Sequence, residues 1–152
     1  MEPLVAKSDL SEHLRLRGIT PTKQRLIIAE ILFDKRQHVS AEQILDKVVR
    51  RDATVSRATV YNTLNLFVDK KLITALIIDK FKDFYDTNTS SHHHIYNVDT
   101  GDLTDVSPDH VVISRLPSLP SGMELEGADV VIRVRGTSLT WIFKNNNLFF
   151  IN

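Results

Sequence analysis

The sequence predicts an α+β chain, helical through its first half and built of short strands beyond about residue 72. Helix-start signals recur at Thr20-Pro21, at Ser40-Ala41-Glu42-Gln43 and at Ser56, each ahead of helically spaced apolar residues. From Leu72 the apolar period shortens to that of strands and β-branched residues take over. A polar, turn-prone stretch, Thr87–Ser91, then separates this part from further strand-like segments.

Taken in order, Thr20 reads as an N-cap with Pro21 at the first helical position, and Gln24–Phe33 is apolar enough to be largely buried. His38-Val39 precedes a capping-box pattern, which opens a helix turning Ile44, Leu45, Val48 and Val49 inward. Ser56 caps a third helix. At about 100° per residue, Val60, Thr63, Leu64, Phe67 and Lys71 gather on one side of it. Ala58, Tyr61, Asn62, Asn65 and Asp69 occupy the other. A small alanine allows that outer face close approach to base edges, and its phenol and amides suit phosphates or bases. A surface helix of an ordinary enzyme has the same look, so this stretch alone leaves both readings open. Leu72–Ile78 is a strand, Asp79–Asp83 a turn, and Phe84-Tyr85-Asp86 the returning strand. Three helices and a hairpin are the order of a winged helix-turn-helix, assigned to residues 1–86, with the hairpin as wing.

Residues 87–91 are the expected hinge, and 92–135 a small α/β dimerisation domain. In it, His94–Val98 and Leu103–Val106 read as strands around a turn at Thr100-Gly101-Asp102. Asp109–Leu116 reads as a helix, Pro117–Gly122 as a loop and Ala128–Arg135 as a strand. The open edge of such a sheet suits pairing across a dimer. Residues 136–152 are aromatic and apolar, either an added strand or an unstructured tail.

Nineteen basic and nineteen acidic residues exclude a generally sticky basic protein. The charge is nevertheless uneven: residues 1–72 carry a net +4 and residues 73–152 a net −4. That division suits one part facing phosphates and another facing cations or a partner. With no cysteine, disulfides, thiolate zinc sites and cysteine nucleophiles are excluded. The first residues lack a secretory pattern and no segment approaches the ~20 apolar residues of a membrane span, so a cytoplasmic protein is expected.

His92-His93-His94 is the other loaded feature. Adjacent imidazoles repel one another when protonated, so a fold has little use for three without a ligand. In extended backbone His92 and His94 point one way and His93 the other. The run can serve two neighbouring sites or offer an axial ligand to haem iron. With Asp86, Asp99, Asp102 and Asp105 nearby in sequence, the mixture suits Fe, Mn or Zn. A solvated loop with a chance histidine run is the plain alternative, and His13, His38 and His110 each read alone as caps or surface residues. An enzyme is disfavoured, because no HExxH helix or acid–base constellation accompanies the run. A protein-binding winged helix with no nucleic-acid role is a further alternative.

Three segments, HVSAEQI (38–44), ATVYNTLNLF (58–67) and DFYDTNTSSHHH (83–94), together resemble the ferric uptake regulator superfamily, and GITPTKQR (18–25) agrees with its opening helix. TVYNTLN followed by YDTN-x-x-x-HHH is most similar to the iron response regulator branch, whose members respond to haem. The resemblance covers about residues 15–135. It implies a homodimeric transcriptional repressor, gated by metal or haem, that binds an AT-rich inverted repeat in double-stranded DNA. It also implies DNA contacts from Tyr61 and the adjacent Asn62. Asn65 and Arg57 lie on the same helix, and Lys23 and Arg25 join them as candidate phosphate anchors, with Arg50 and Arg51 as further basic positions. The family's hinge metal site falls on His38, Asp86, His93 and Asp105, and its other site on His92 and His94. Haem would take its ligand from His92, His93 or His94. In the haem version the effector releases DNA; in the rival version Fe²⁺ or Mn²⁺ promotes DNA binding and haem has no part.

The departures are specific. The family's paired cysteines for structural zinc are absent, and a hinge-site histidine position is Ile95 here. The second site finds no clear further ligands near residues 112 and 128, which favours haem ligation by the run. Thr20 stands where relatives often carry a basic residue, and 136–152 resembles nothing in the family.

Overall fold

The computed structural model describes residues 4–79 and 82–136. The chain divides into two compact units between Ser91 and His92.

The N-terminal unit runs α1 (Leu10–Leu16), α2 (Lys23–Leu32), β1 (His38–Ser40), α3 (Ala41–Arg51), α4 (Arg57–Asp69), β2 (Thr74–Asp79) and β3 (Lys82–Asp86). Its helices close over Leu14, Ile28, Leu32, Ile44, Val48, Val60, Leu64 and Phe67, all sealed from solvent. The strands form an antiparallel sheet in the order β1-β3-β2. Val39 and Tyr85 pair across β1 and β3, and both are buried, which fastens the sheet to the helical core. This is a winged helix-turn-helix with β2–β3 as its wing.

The caps explain where the helices begin. Ser40 and Gln43 form the reciprocal capping box, and Ser56 Oγ accepts from the Thr59 N–H. The start of α2 departs from expectation. Thr22, not Thr20, is its cap, accepting from the Arg25 N–H, so Pro21 lies outside the helix. Two further expectations need correction. Val49 is 42% exposed, because the inward stripe of α3 runs through Ala41, Ile44 and Val48. Lys71 is exposed and beyond the end of α4, where the chain has already turned.

That turn is a Schellman closure: Leu72 N–H donates to Phe67 O and Lys71 N–H to Val68 O, both at 2.9 Å, with Lys71 at φ +56°. α1 ends the same way, but with glycine, Gly18 at φ +71°, in the left-handed position. Arg17 Nη1 also donates to the Lys70 and Lys71 carbonyls at the end of α4. A lysine held in the left-handed region is strained where a glycine is not. Lys71→Gly is therefore expected to raise the unfolding free energy by about 0.5–1 kcal/mol, read from the urea midpoint. A lowered midpoint would mean that the Lys71 side chain contributes more than its backbone strain removes.

The C-terminal unit is a three-stranded mixed sheet of β4 (His93–Asn97), β5 (Leu103–Val106) and β6 (Val131–Val134), in the order β5-β4-β6. β5 runs antiparallel to β4 and β6 parallel to it. The helix expected over Asp109–Leu116 is replaced by one short 3₁₀ turn, Pro108–His110. Val111, Val112 and Ile113 are β-branched, and Pro117 disfavours helical backbone at Leu116, so the start signal does not propagate. The final strand is also shorter than Ala128–Arg135. Residues 137–152, nearly all of the aromatic tail, lie outside the described residues. Among the described residues no helix is long and apolar enough to cross a membrane.

Candidate nucleic-acid interface and metal-ligating residues

The outer face of α4 carries the polar groups its spacing predicted. Arg57, Ala58, Asn62, Asn65 and Asp69 are exposed, while Val60, Thr63, Leu64 and Phe67 anchor the opposite face. Tyr61 is half-buried and packs against the core, with its hydroxyl donating to Glu42 Oε1 at 2.8 Å. Accepting that hydrogen bond, Glu42 pushes the Tyr61 phenol above its ordinary pKa. Arg57 stands with its guanidinium 5.9 Å from the Tyr61 ring centre and 3.9 Å from the same Glu42 oxygen. The alternation of Asn62 and Asn65 with buried residues leaves both amides facing solvent.

The two basic candidates on α2 are engaged. Arg25 Nη1 donates to the Thr20 carbonyl at 2.9 Å, and Lys23 Nζ lies 2.8 Å from Asp52 Oδ2. Asp52 caps the turn between α3 and α4, accepting from both the Thr54 amide and its hydroxyl. Lys23 and Thr54 together hold the Asp52 carboxyl down to about 2. A folded-state pKa below the unfolded value of 3.8 means the ionised form is favoured by folding. Its stabilisation is complete above about pH 4 and disappears as the pH falls through about 2. Asp52→Asn should accordingly lower stability at neutral pH and flatten the loss between pH 4 and 2, measured by thermal melts across that window. An unchanged acid limb would show that other carboxylates govern it.

Side chains of the kinds that can ligate a metal occur in both units. In the N-terminal unit, His38 and Asp86 are register partners across β1 and β3, with His38 Nε2 3.4 Å from Asp86 Oδ2. The other Asp86 oxygen accepts from the Asn88 N–H at 2.7 Å, and Asn88 Oδ1 accepts in turn from Ser90. Thr87 is fixed by reciprocal bonds with Gln37, whose side-chain amide donates to the carbonyls of Ile31 and Leu32. The Thr87–Ser91 segment is thus a series of side-chain-held turns.

In the C-terminal unit, the alternation of extended backbone separates the three histidines. His92 Nε2 lies 3.7 Å from Asp105 Oδ1, the His92 and His94 rings are 4.5 Å apart, and His94 is the register partner of Asp105. His93 pairs instead with Val106, and its Nδ1 accepts from the Val130 N–H at 3.4 Å. Accepting at Nδ1 places the neutral ring's proton on Nε2, which leaves that nitrogen a donor. The structure therefore brings Asp105 together with His92 and His94, and places His93 apart from it. Asp52, Arg17 and Gln37 carry no motif, and Glu42, though inside the quoted HVSAEQI segment, was given no role of its own from sequence. Glu42 alone left a trace, as the acidic residue in the first turn of α3. His13, a lone histidine, packs edge-on against Phe33. Burial lowers its pKa, with the Arg17 charge adding to the effect. His110 is exposed.

Residues 17–132 match the ferric uptake regulator family. The ferric uptake regulation protein of Rhizobium leguminosarum bv. viciae is 37% identical over 98 residues, covering 64% of this chain and 68% of that protein. Its counterpart from Vibrio cholerae is 33% identical over 104 residues, covering 67% and 69%. Among solved structures, a zinc-bound manganese uptake regulator matches with a TM-score of 0.62 at 26% identity, over 84% of this chain and 98% of that one. A ferric uptake regulator from Pseudomonas aeruginosa with manganese matches with a TM-score of 0.64 at 25% identity, over 88% and 100%.

Proposed function

This chain belongs to the ferric uptake regulator family, and from that premise we propose that it is a dimeric repressor whose grip on DNA is set by a divalent metal ion held by its imidazole and carboxylate side chains. It is a metal-responsive transcriptional regulator and not an enzyme. The observation that carries the ion reading is the donor chemistry. His38 with Asp86 and His92 with His94 and Asp105 are imidazole and carboxylate sets, which suit Fe²⁺, Mn²⁺ or Zn²⁺. His93, the register partner of Val106 and not of Asp105, is left out of this set. A bound ion would supply positive charge to the two carboxylates. The chain's own part is to hold Asp86 against β1 and to fix the hinge backbone through Asn88 and Thr87.

Reading of DNA falls to the outer face of α4, with Tyr61, Asn62 and Asn65 toward bases and Arg57, Lys23 and Arg25 toward phosphates. Dimerisation falls to the C-terminal unit, where Val112, Met123 and Leu125 are mostly exposed and β5 and β6 are sheet edges. A two-fold dimer of such heads calls for an inverted repeat, and its AT-rich character is what the family resemblance implies. The haem version of the effector rests on the same histidines, and the sharing of Asp105 by His92 and His94 speaks for a small cation instead.

Gel-shift titrations with Mn²⁺, Fe²⁺ and haem, on a duplex the protein selects from a randomised pool, test the proposal. Tightening by metal supports it. Loosening by haem with no response to metal replaces the ion with haem, and indifference of the DNA complex to all three sinks both versions.

A further inference from the structure

Glu42, within the HVSAEQI segment, is a carboxylate of α3 bonded to the outer face of α4. It sits on the second residue of α3, 58% exposed at its side chain, and takes no part in the capping box that Ser40 and Gln43 complete. Its Oε1 receives the Tyr61 hydroxyl at 2.8 Å and lies 3.9 Å from Arg57 Nη1. Arg57 in turn lies over the Tyr61 ring. The Arg57 guanidinium, 64% exposed at its side chain, and the Tyr61 hydroxyl are thereby directed to a negative charge. A carboxylate at this place also repels any phosphate that approaches Arg57.

We propose that Glu42 is a specificity-determining residue of the DNA interface, restraining Arg57 and Tyr61 so that they engage only when a correct site offers contacts that outcompete it. On random sequence the restraint persists, Arg57 stays on Glu42, and one phosphate contact is withheld. On a selected site the base contacts of the neighbouring amides hold the helix in register long enough for Arg57 to exchange partners. Glu42 thus lowers non-specific binding more than specific binding, which is discrimination by an unfavourable contact. The inference rests on the DNA-binding reading above.

The test compares wild type, Glu42→Gln and Glu42→Ala by fluorescence anisotropy with Mn²⁺ present. The probes are a duplex the wild type selects from a randomised pool and a mixed-sequence duplex of equal length, each over a salt series. Glutamine keeps an acceptor for Tyr61 and removes the charge, and circular dichroism melts confirm that each variant folds. Both variants should bind the mixed-sequence duplex roughly 8-fold tighter at 0.1 M salt, with a log–log salt slope steeper by about 0.9, the signature of one added phosphate contact. The selected duplex should tighten much less, so the ratio of the two affinities falls. An unchanged slope and ratio in variants that fold would overturn the role of Glu42 while leaving DNA binding intact. Failure of the wild type to bind either duplex would overturn the functional reading and this inference with it.

Discussion

Phe67→Ala is expected to destabilise the N-terminal unit by about 3–5 kcal/mol, enough to consume much of the 5–15 kcal/mol typical of a domain. Phe67 is fully buried on the inner face of α4 and stacks on Phe33, with ring centres 6.5 Å apart and planes 28° from parallel. Its neighbours Val60 and Leu64 are equally sealed, so the cavity left by truncation has no route to collapse or to fill with water. The measurement is urea denaturation, with Asn62→Ala as the companion. Asn62 lies on the same helix but faces solvent, so its loss should leave stability within about 0.5 kcal/mol while weakening DNA binding. A Phe67→Ala midpoint corresponding to less than about 1.5 kcal/mol would mean that α4 repacks, and that the helical core is softer than its burial implies.

The second large effect concerns Asp86. Its two oxygens serve different partners: Oδ1 accepts from the Asn88 N–H and Oδ2 faces His38 Nε2. Asp86→Ala removes both at once, taking a metal donor and the first turn of the hinge together. Coupling between an effector and DNA of this kind amounts to ~5–150-fold in affinity. Asp86→Ala should reduce the Mn²⁺-dependent gain to about 1, with metal-free DNA affinity left near that of wild type. Asp86→Asn retains one acceptor oxygen for Asn88 and should keep part of the hinge order while still losing most of the response. Anisotropy titrations of DNA at fixed Mn²⁺ read both variants. A full metal response in Asp86→Ala would remove Asp86 from the effector site altogether.

How much of this was legible in the chain depends on the range of the interaction. α3 and α4 announce themselves because a cap and an apolar stripe are local signals, and both Ser40 and Ser56 cap as their patterns require. α1 did not, being seven residues long with no side-chain bond at its Asp9 cap. β1 did not either, since three residues become a strand only through pairing with β3, more than forty positions away. The failed helix at Asp109–Leu116 shows the opposite error, a start signal outweighed by β-branched residues and a following proline. For the site, residue alternation separated His93 from His92 and His94 correctly. The family pattern groups His93 with Asp105, whereas strand register, invisible in sequence, pairs His93 with Val106 and sets Asp105 beside His92 and His94. Glu42 escaped notice for the same reason: its partners Tyr61 and Arg57 are nineteen and fifteen residues downstream on another helix.

The parallel pairing of β4 with β6 also fixes an order of events during folding. Strands that join residues 37 apart, with no helix to bridge them, must close a long loop before any hydrogen bond rewards it. That closure alone opposes pairing by about 3 kcal/mol. The capped helices of the first unit face no such delay, and they can form while the chain is still emerging. A newly made polypeptide would therefore possess its reading helix before the sheet that carries His94 is complete, and amides of β6 should be the late ones to acquire exchange protection.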